Sequence, residues 1–310
     1  MRPKQPLSKN ILITGSNGLL GQKLAFLFSQ SDYYKILLAS KQPKSVFGKS
    51  LPYQTVDTGV KQEITRCIRE FAPDVIINAA AMTDVDGCEE HREKAYTANV
   101  TSVENIVTAA KAGTHIIHFS TDYIFDGKNG PYDESAIPNP LSYYGKTKLA
   151  SENILRGSNF DYSILRTMVL YGTGMNVKTN FALWVIRSLE ENKTIRLVND
   201  QLGNPTLADD LAYATLRVVE IERSGIYHIA GREIVSRFDF ARAIAEVFAF
   251  DESLISPIAT AELKQKAPRP LNSGLLTLKA ESELDIKMSG VKKGLTTLYH
   301  QFEFEKKFDT

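Results

Sequence analysis

Cysteine is nearly missing. The 310 residues contain only Cys67 and Cys88, too few for a disulfide framework, so burial must hold the fold together and a reducing compartment is expected. No run approaches the roughly 20 consecutive apolar residues that cross a bilayer, so no membrane association is expected. An excess of one charge is missing too: 37 lysines and arginines face 36 aspartates and glutamates, leaving no broad field to attract nucleic acid. No apolar signal-like stretch precedes the first strand-like segment at Asn10, which points to a cytoplasmic protein. Met1 to Lys9, with Pro3 and Pro6, reads as a flexible lead-in. What is present, 43% hydrophobic and 24% charged residues, suits a soluble globular chain with a core large enough for a cofactor domain and a smaller cap.

The first half alternates short apolar runs with longer stretches of helical period. Strands are predicted at Ile11–Thr14, Ile36–Ala39, Tyr53–Val56, Val75–Ala79, Ile116–Ser120, Ser163–Arg166 and Ile226–Ile229. Helices are predicted at Leu19–Ser29, Lys61–Phe71, Glu93–Ala112 and Tyr144–Arg156. Right-handed crossovers between such strands give an α/β fold, a Rossmann-like doubly wound parallel sheet. After Tyr171 the rhythm changes, and a smaller, interleaved C-terminal substrate domain is expected. The division predicted is a cofactor domain at 1–172, with 207–231 returning to it, and a substrate domain from 173–206 and 232–310.

The first strand ends in Thr14-Gly15-Ser16-Asn17-Gly18-Leu19-Leu20-Gly21. Gly15 and Gly18 permit a tight turn and close approach of backbone N–H groups to a pyrophosphate, and Gly21 lets the helix that follows pack closely on the strand. An ordinary strand-to-helix turn is the competing reading, weakened by the loop's place after a clean apolar strand. An NAD enzyme usually carries an acid about 20 residues on, where the second strand ends. Here Ser40 and Lys41 occupy that place, and a hydroxyl and an ammonium suit a 2′-phosphate, so NADPH is favoured over NADH. Asp57, with Thr58 beside it, could accept from the adenine amine or cap the next helix. The small residues Ala79, Ala80 and Ala81, with Met82 and Thr83 following, leave room for a ribose or simply pack closely.

Tyr144 and Lys148, four residues apart, share one face of a helix. The spacing alone is unspecific; its context is the preceding strand, which presents Ser120-Thr121-Asp122 at its carboxyl end, where ligands of parallel sheets collect. Reducing a ketone needs a proton donor at the carbonyl oxygen, which Tyr144 can be, and a cation that eases loss of that proton, which Lys148 can be. Thr121 would hold the substrate oxygen. A half-buried tyrosine beside a solvated lysine is the plain structural alternative.

These residues resemble the extended short-chain dehydrogenase/reductase family, and within it the dTDP-4-dehydrorhamnose reductase branch. The likeness covers nearly the whole chain, most specifically in Ser120-Thr121-Asp122-Tyr123-Ile124-Phe125-Asp126-Gly127 and Asp200-Gln201-Leu202-Gly203-Asn204-Pro205-Thr206. It implies a Thr121, Tyr144, Lys148 triad. It also implies cofactor contacts at Gly18 to Leu20, Asp57, Thr58 and Ala81 to Thr83, and substrate contact through Thr121 and Asp122. The implied reaction is reduction of the C4 ketone of dTDP-4-dehydro-L-rhamnose by NADPH. Asn180 and Arg269 are candidates for the nucleotide diphosphate, or else surface or interdomain contacts. Two departures stand out. The family commonly reads Ser-Trp, with the tryptophan beside the sugar, where this chain has Met168-Val169, which places Val169 at the sugar and leaves the exact sugar open. Lys23 replaces a glutamate of a metal-using member, so no bound magnesium is expected. A homodimer is the candidate assembly. The rival expectations are another 4-ketosugar reductase or epimerase, and a regulatory subunit like methionine adenosyltransferase beta.

Overall fold

A computed structural model describes residues 8–308; most of the lead-in, residues 1–7, lies outside them. Seven strands make one parallel sheet. Six are β1 (Lys9–Thr14), β2 (Tyr34–Ser40), β3 (Tyr53–Thr55), β4 (Val75–Asn78), β5 (His115–Thr121) and β6 (Tyr162–Thr167); the seventh is Gly225–His228. Their order, β3-β2-β1-β4-β5-β6-(225–228), is that of a doubly wound sheet, with the topological switch between β1 and β4. Register runs Ile11 opposite Ile36 on one side and Val75 on the other. All four residues of β4 and all seven of β5 are buried, which is why these strands read as continuous apolar runs rather than as alternation.

The crossovers are α1 (Leu19–Ser29), α2 (Lys61–Phe71), a broken run of α3 (Val85–Glu90), α4 (Arg92–Tyr96) and α5 (Ser102–Ala109), and α6 (Tyr143–Arg156). The single helix expected over Glu93–Ala112 is therefore interrupted, by a π-helical turn at Thr97–Thr101. The sheet's two faces carry separate cores. One packs Leu24 and Phe28 of α1 with Leu211 and Val218 of α8 (Ala208–Glu220, following α7 at Phe181–Glu190), and it also takes Ala280, Leu284 and Met288 from the C-terminal part of the chain. The other packs Ile64 and Ile68 of α2 with Val103 and Ile106 of α5. Each fully buried leucine or isoleucine here contributes about 1.5–3 kcal/mol.

A third core lies beyond the carboxyl ends of the strands. It joins α7, the strands Ile195–Val198 and Ile255–Ile258, α9 (Arg237–Phe248) and, after α10 (Leu278–Leu284), α11 (Val291–Phe308). Two short strands, Leu170–Tyr171 and Thr206–Leu207, stitch the end of the sheet to this part. A buried Arg166–Glu152 pair at 2.7 Å locks α6 onto β6; its charges are compensated by each other and by a second bond at 3.0 Å.

Candidate active site

At the switch between β1 and β4, Gly15 has φ +66°, and a Cβ there would stand 2.6 Å from the Ala79 and Ala80 backbone. Gly21 lies closer still to the loop: a Cβ would meet the Gly15 carbonyl oxygen at 2.4 Å. Gly18 begins α1 without a side-chain cap, and the first intrahelical donor is the Gln22 N–H, to the Gly18 carbonyl at 2.9 Å. The N–H groups of Leu19, Leu20 and Gly21 are thus available at the positive end of a helix dipole, with no acid in the first turn to compete for them. Asn17 braces the loop, donating to Gln42 Oε1 at 2.6 Å and the Lys44 carbonyl at 2.8 Å.

At the end of β2, Ser40 is buried and its hydroxyl accepts from the Gln42 N–H at 3.3 Å, while Lys41 is exposed beside it. Asp57 is engaged locally: Oδ1 accepts from the Gly59 N–H at 2.8 Å, so its carboxylate shapes the turn before α2. The Thr58 carbonyl accepts from Asn105 at 3.0 Å. Ala79 and Ala80 are half-buried and Ala81 and Thr83 exposed. Met82 is pinned at both backbone groups by Asn99, which accepts its N–H at 2.8 Å and donates to its carbonyl at 3.1 Å. Asn99 also donates to Thr147 Oγ1 on α6 at 3.0 Å. Sequence reading missed Asn99; the signal was an asparagine, a poor residue for a helix interior, inside an expected helix, and the π-turn is what aims it.

Ser142 caps α6, accepting from the Gly145 N–H at 3.2 Å, and the helix delivers Tyr144 and Lys148, 8% and 2% exposed, under the end of β5. The Tyr144 phenol lies close to the Thr121 hydroxyl. Burial pushes that phenol far above its ordinary range, and Asp122 and Tyr123 add to the effect, so it is held in its protonated form. Lys148 is brought down to about 8 by burial, with Glu152 pulling the other way, and its Nζ lies 3.0 Å from His118 Nε2. Asp122, buried, takes hydrogen bonds from Thr121 at 3.0 Å and Ser273 at 2.6 Å, and burial lifts its carboxyl to about 6.

Beside this group a cleft opens, lined by Asp122, Tyr123, Met168, Val169, Arg237 and Ser273, among others. Val169 reaches it with φ +45°, a left-handed backbone in a β-branched residue. The diphosphate candidates are both otherwise engaged. Asn180 caps α7, accepting from the Leu183 N–H at 3.2 Å and donating to the Gly172 carbonyl at 2.8 Å. Arg269 makes a two-pronged bond to Asp86 at 2.7 and 2.9 Å, which ties the C-terminal part to α3 and holds the Asp86 carboxyl below its usual range.

The arginine left over is Arg237, which sequence reading missed. It lines the cleft at 5.2 Å over the Phe181 ring, and among the described residues no carboxylate pairs with it at ion-pair distance. Its legible signal was position. It stands first in α9, right after the cap Ser236, where a helix dipole favours acids and repels cations.

A dinucleotide-type switch point with a buried Tyr-x-x-x-Lys pair and a threonine at the neighbouring strand end defines an extended short-chain dehydrogenase/reductase architecture. Residues 9–304 match the family described as the RmlD substrate binding domain, and the chain belongs to that family. It is 34% identical over 301 residues to the dTDP-4-dehydrorhamnose reductase of Aggregatibacter actinomycetemcomitans, covering 93% of this chain and 97% of that one. It is 31% identical over 275 residues to methionine adenosyltransferase 2 subunit beta of Bos taurus, covering 86% and 80%. Among solved structures, the dTDP-4-dehydrorhamnose reductase of Bacillus anthracis in complex with NADP superposes with a TM-score of 0.86 at 28% identity, covering 95% of this chain and 99% of that one. The expected fold and family are therefore met, as is the expected class of enzyme, an oxidoreductase.

Proposed function

We propose that the protein reduces the C4 ketone of dTDP-4-dehydro-L-rhamnose to dTDP-L-rhamnose with NADPH. The observation that carries the reading is the buried Tyr144 phenol, close to Thr121 and one helical turn from Lys148, at the carboxyl end of β5. The residues present fit the cofactor. Gly15 lets the loop lie against the backbone of Ala79 and Ala80 and Gly21 lets α1 pack on the loop, so that the first N–H groups of α1 would hold the pyrophosphate, and Ser40 with Lys41, in place of an acid, would take a 2′-phosphate. Ala79 to Thr83 would lie along the ribose side. When bound, the dihydronicotinamide supplies the hydride to the sugar's C4.

The chain's own residues supply the rest. Thr121 would turn its one O–H from Asp122 to the ketone oxygen and fix it. Tyr144, held protonated by burial, gives its proton to that oxygen as negative charge develops, and the Lys148 ammonium stabilises the phenolate left behind. Arg237, unpaired at the cleft wall, is our choice for the diphosphate, since its planar fork matches phosphate oxygens. Val169 would face the sugar.

Tyr144→Phe is expected to bind NADPH with wild-type affinity and to lose roughly 10²–10⁴-fold in turnover of the 4-ketosugar, followed by NADPH absorbance. Unchanged turnover would remove Tyr144 from the mechanism. Parallel assays with NADH and with GDP- and CDP-linked 4-ketosugars, with product configuration determined, decide cofactor, base and stereochemistry. The likeness to methionine adenosyltransferase 2 subunit beta supports a second reading, a regulatory subunit; no NADPH consumption with any of these sugars would turn the assignment to it. The proposal includes a cytoplasmic location, in keeping with two free, buried cysteines, and a homodimer, tested by sedimentation. Among the described residues no helix is long and apolar enough to cross a membrane. It also includes activity without a metal ion, since Lys23 is engaged with Asp209 at 3.1 Å.

A further inference from the structure

Three motifs of the cofactor cleft meet at one buried imidazole that the mechanism above does not use. Thr14, at the mouth of the phosphate loop, donates to Asn78 Oδ1 at 2.7 Å, and the Ala80 N–H approaches the same oxygen at 3.3 Å. An N–H can only donate, so Oδ1 is fixed there and the Asn78 amide nitrogen faces His118, 3.2 Å from Nδ1. Nδ1 is therefore an acceptor. On the other side of the ring, Ser151 Oγ lies 3.0 Å from Nε2 and spends its only proton on the Lys148 carbonyl at 2.7 Å. Toward His118 it can only accept, so Nε2 carries the hydrogen. Two independent neighbours thus fix the same neutral tautomer, and burial reinforces it by holding the imidazole well below its ordinary proton affinity.

Lys148 Nζ stands 3.0 Å from that same Nε2–H. An ammonium has three donors and no acceptor, so it has nothing to offer a donor; a neutral amine has a lone pair. We propose that His118 is a positioning residue for Lys148, receiving it when it is the neutral amine and turning the ammonium away from the interior, toward Tyr144 and the cofactor cleft. The inference rests on Lys148 being half of the reacting pair. Its consequence is that cofactor binding and protonation of Lys148 are linked: the hydroxyls and negative charge of NADPH favour the ammonium, so binding draws a proton from solvent wherever the resting lysine is an amine. The other charged and titratable groups around the pair are Glu152 on α6, held by Arg166 of β6 at 2.7 Å, and Tyr144, faced by Asp122, Tyr123 and Cys88. The lowered affinity of Lys148, about 8, sets the range in which the uptake is seen.

The test is calorimetry of NADPH binding to the intact protein, in buffers of different ionisation enthalpy, from pH 6.5 to 9.5. The wild type is expected to take up roughly half a proton or more per NADPH at pH 8.5 and almost none at pH 6.5. His118→Met removes the N–H that favours the amine, so the uptake profile moves up by about one pH unit, while His118→Gln keeps an N–H there and restores the profile. Ser151→Ala leaves the Nε2–H to Lys148 alone and moves the profile the other way, so the inference is decided even if His118→Met does not fold. Lys148→Met abolishes the uptake. No uptake in the wild type, a profile unmoved by both His118→Met and Ser151→Ala, or uptake that survives Lys148→Met would each overturn it. Sugar turnover is measured alongside: a protein that binds NADPH but reduces no sugar defeats the functional reading, and the proton count still decides the role of His118.

Discussion

Gly15 and Val169 both have left-handed backbones, at φ +66° and +45°, one in the glycine loop and the other in the wall of the proposed substrate cleft. In the loop the conformation falls to the residue that adopts it without steric cost, and the missing side chain is itself needed, because Ala79 and Ala80 leave it no room. In the cleft wall it falls to a β-branched residue, for which it costs on the order of 1–3 kcal/mol, so neighbours must hold it. They do so closely. The Val169 carbonyl accepts from the Thr206 N–H at 3.1 Å, and Met168 beside it is packed so tightly on Gly203 that a Cβ there would lie 2.1 Å from its terminal carbon. Asn204 completes the bracket, donating to the Gly231 carbonyl at 2.7 Å and accepting from the Leu275 N–H at 2.9 Å. The cofactor side is thus shaped by backbone geometry within a few residues, and the sugar side by contacts between segments far apart in the chain.

If that contrast holds, substitutions on the two sides fail differently. The largest effect belongs to Gly15→Ala, which meets both a disfavoured φ and backbone atoms that cannot yield. We expect NADPH affinity, read by fluorescence titration, to fall by about 100-fold or more. Retained affinity would mean the loop adjusts freely and the two sides are not so unlike. Arg237→Met comes next. Losing a charged bond to the diphosphate should raise KM for the nucleotide sugar by about 10–100-fold with kcat little changed, while NADPH binding is untouched. Arg269→Met is the matched control: its partner is Asp86, so it should lower the melting temperature while moving KM far less.

The same contrast explains what the sequence made legible. Glycine spacing, the buried run of β4 and the four-residue step from Tyr144 to Lys148 are local, and each led to the right element. Asp57 shows the limit of such reading: its place at the end of β3 suggested adenine or a cap, and only the fold shows the turn that its Oδ1 closes onto Gly59. Arg269 shows another, since passing over it for Arg237, as proposed above, requires knowing that Asp86, 183 residues earlier, pairs with it. Asn99 was hidden because helical periodicity passes over a one-turn π distortion. His118 was hidden because a histidine inside the run Ile116-Ile117-His118-Phe119 looks like core, and only the fold brings Asn78 and Ser151 to its two nitrogens.

The smallest effect is the most diagnostic of how the sugar side is built. At an ordinary extended or helical position, glycine is less stable than alanine by roughly 0.5–1 kcal/mol, because it loses more freedom on folding. At a left-handed position the order reverses, since alanine's Cβ is penalised there by about 1–2 kcal/mol and glycine's absence of one is not. Val169→Gly and Val169→Ala both remove the side chain from the cleft, so their difference isolates the backbone. We expect Val169→Gly to be the more stable of the two by about 1 kcal/mol in denaturant unfolding, with both variants relaxing the preference among 4-ketosugars to a similar degree. Alanine coming out ahead would mean that Val169 relaxes out of the left-handed region once its side chain is gone. The bracket of Gly203, Asn204 and Thr206 would then position the side chain without fixing the backbone, and the distinction between the two sides of the cleft would shrink to the presence or absence of glycine.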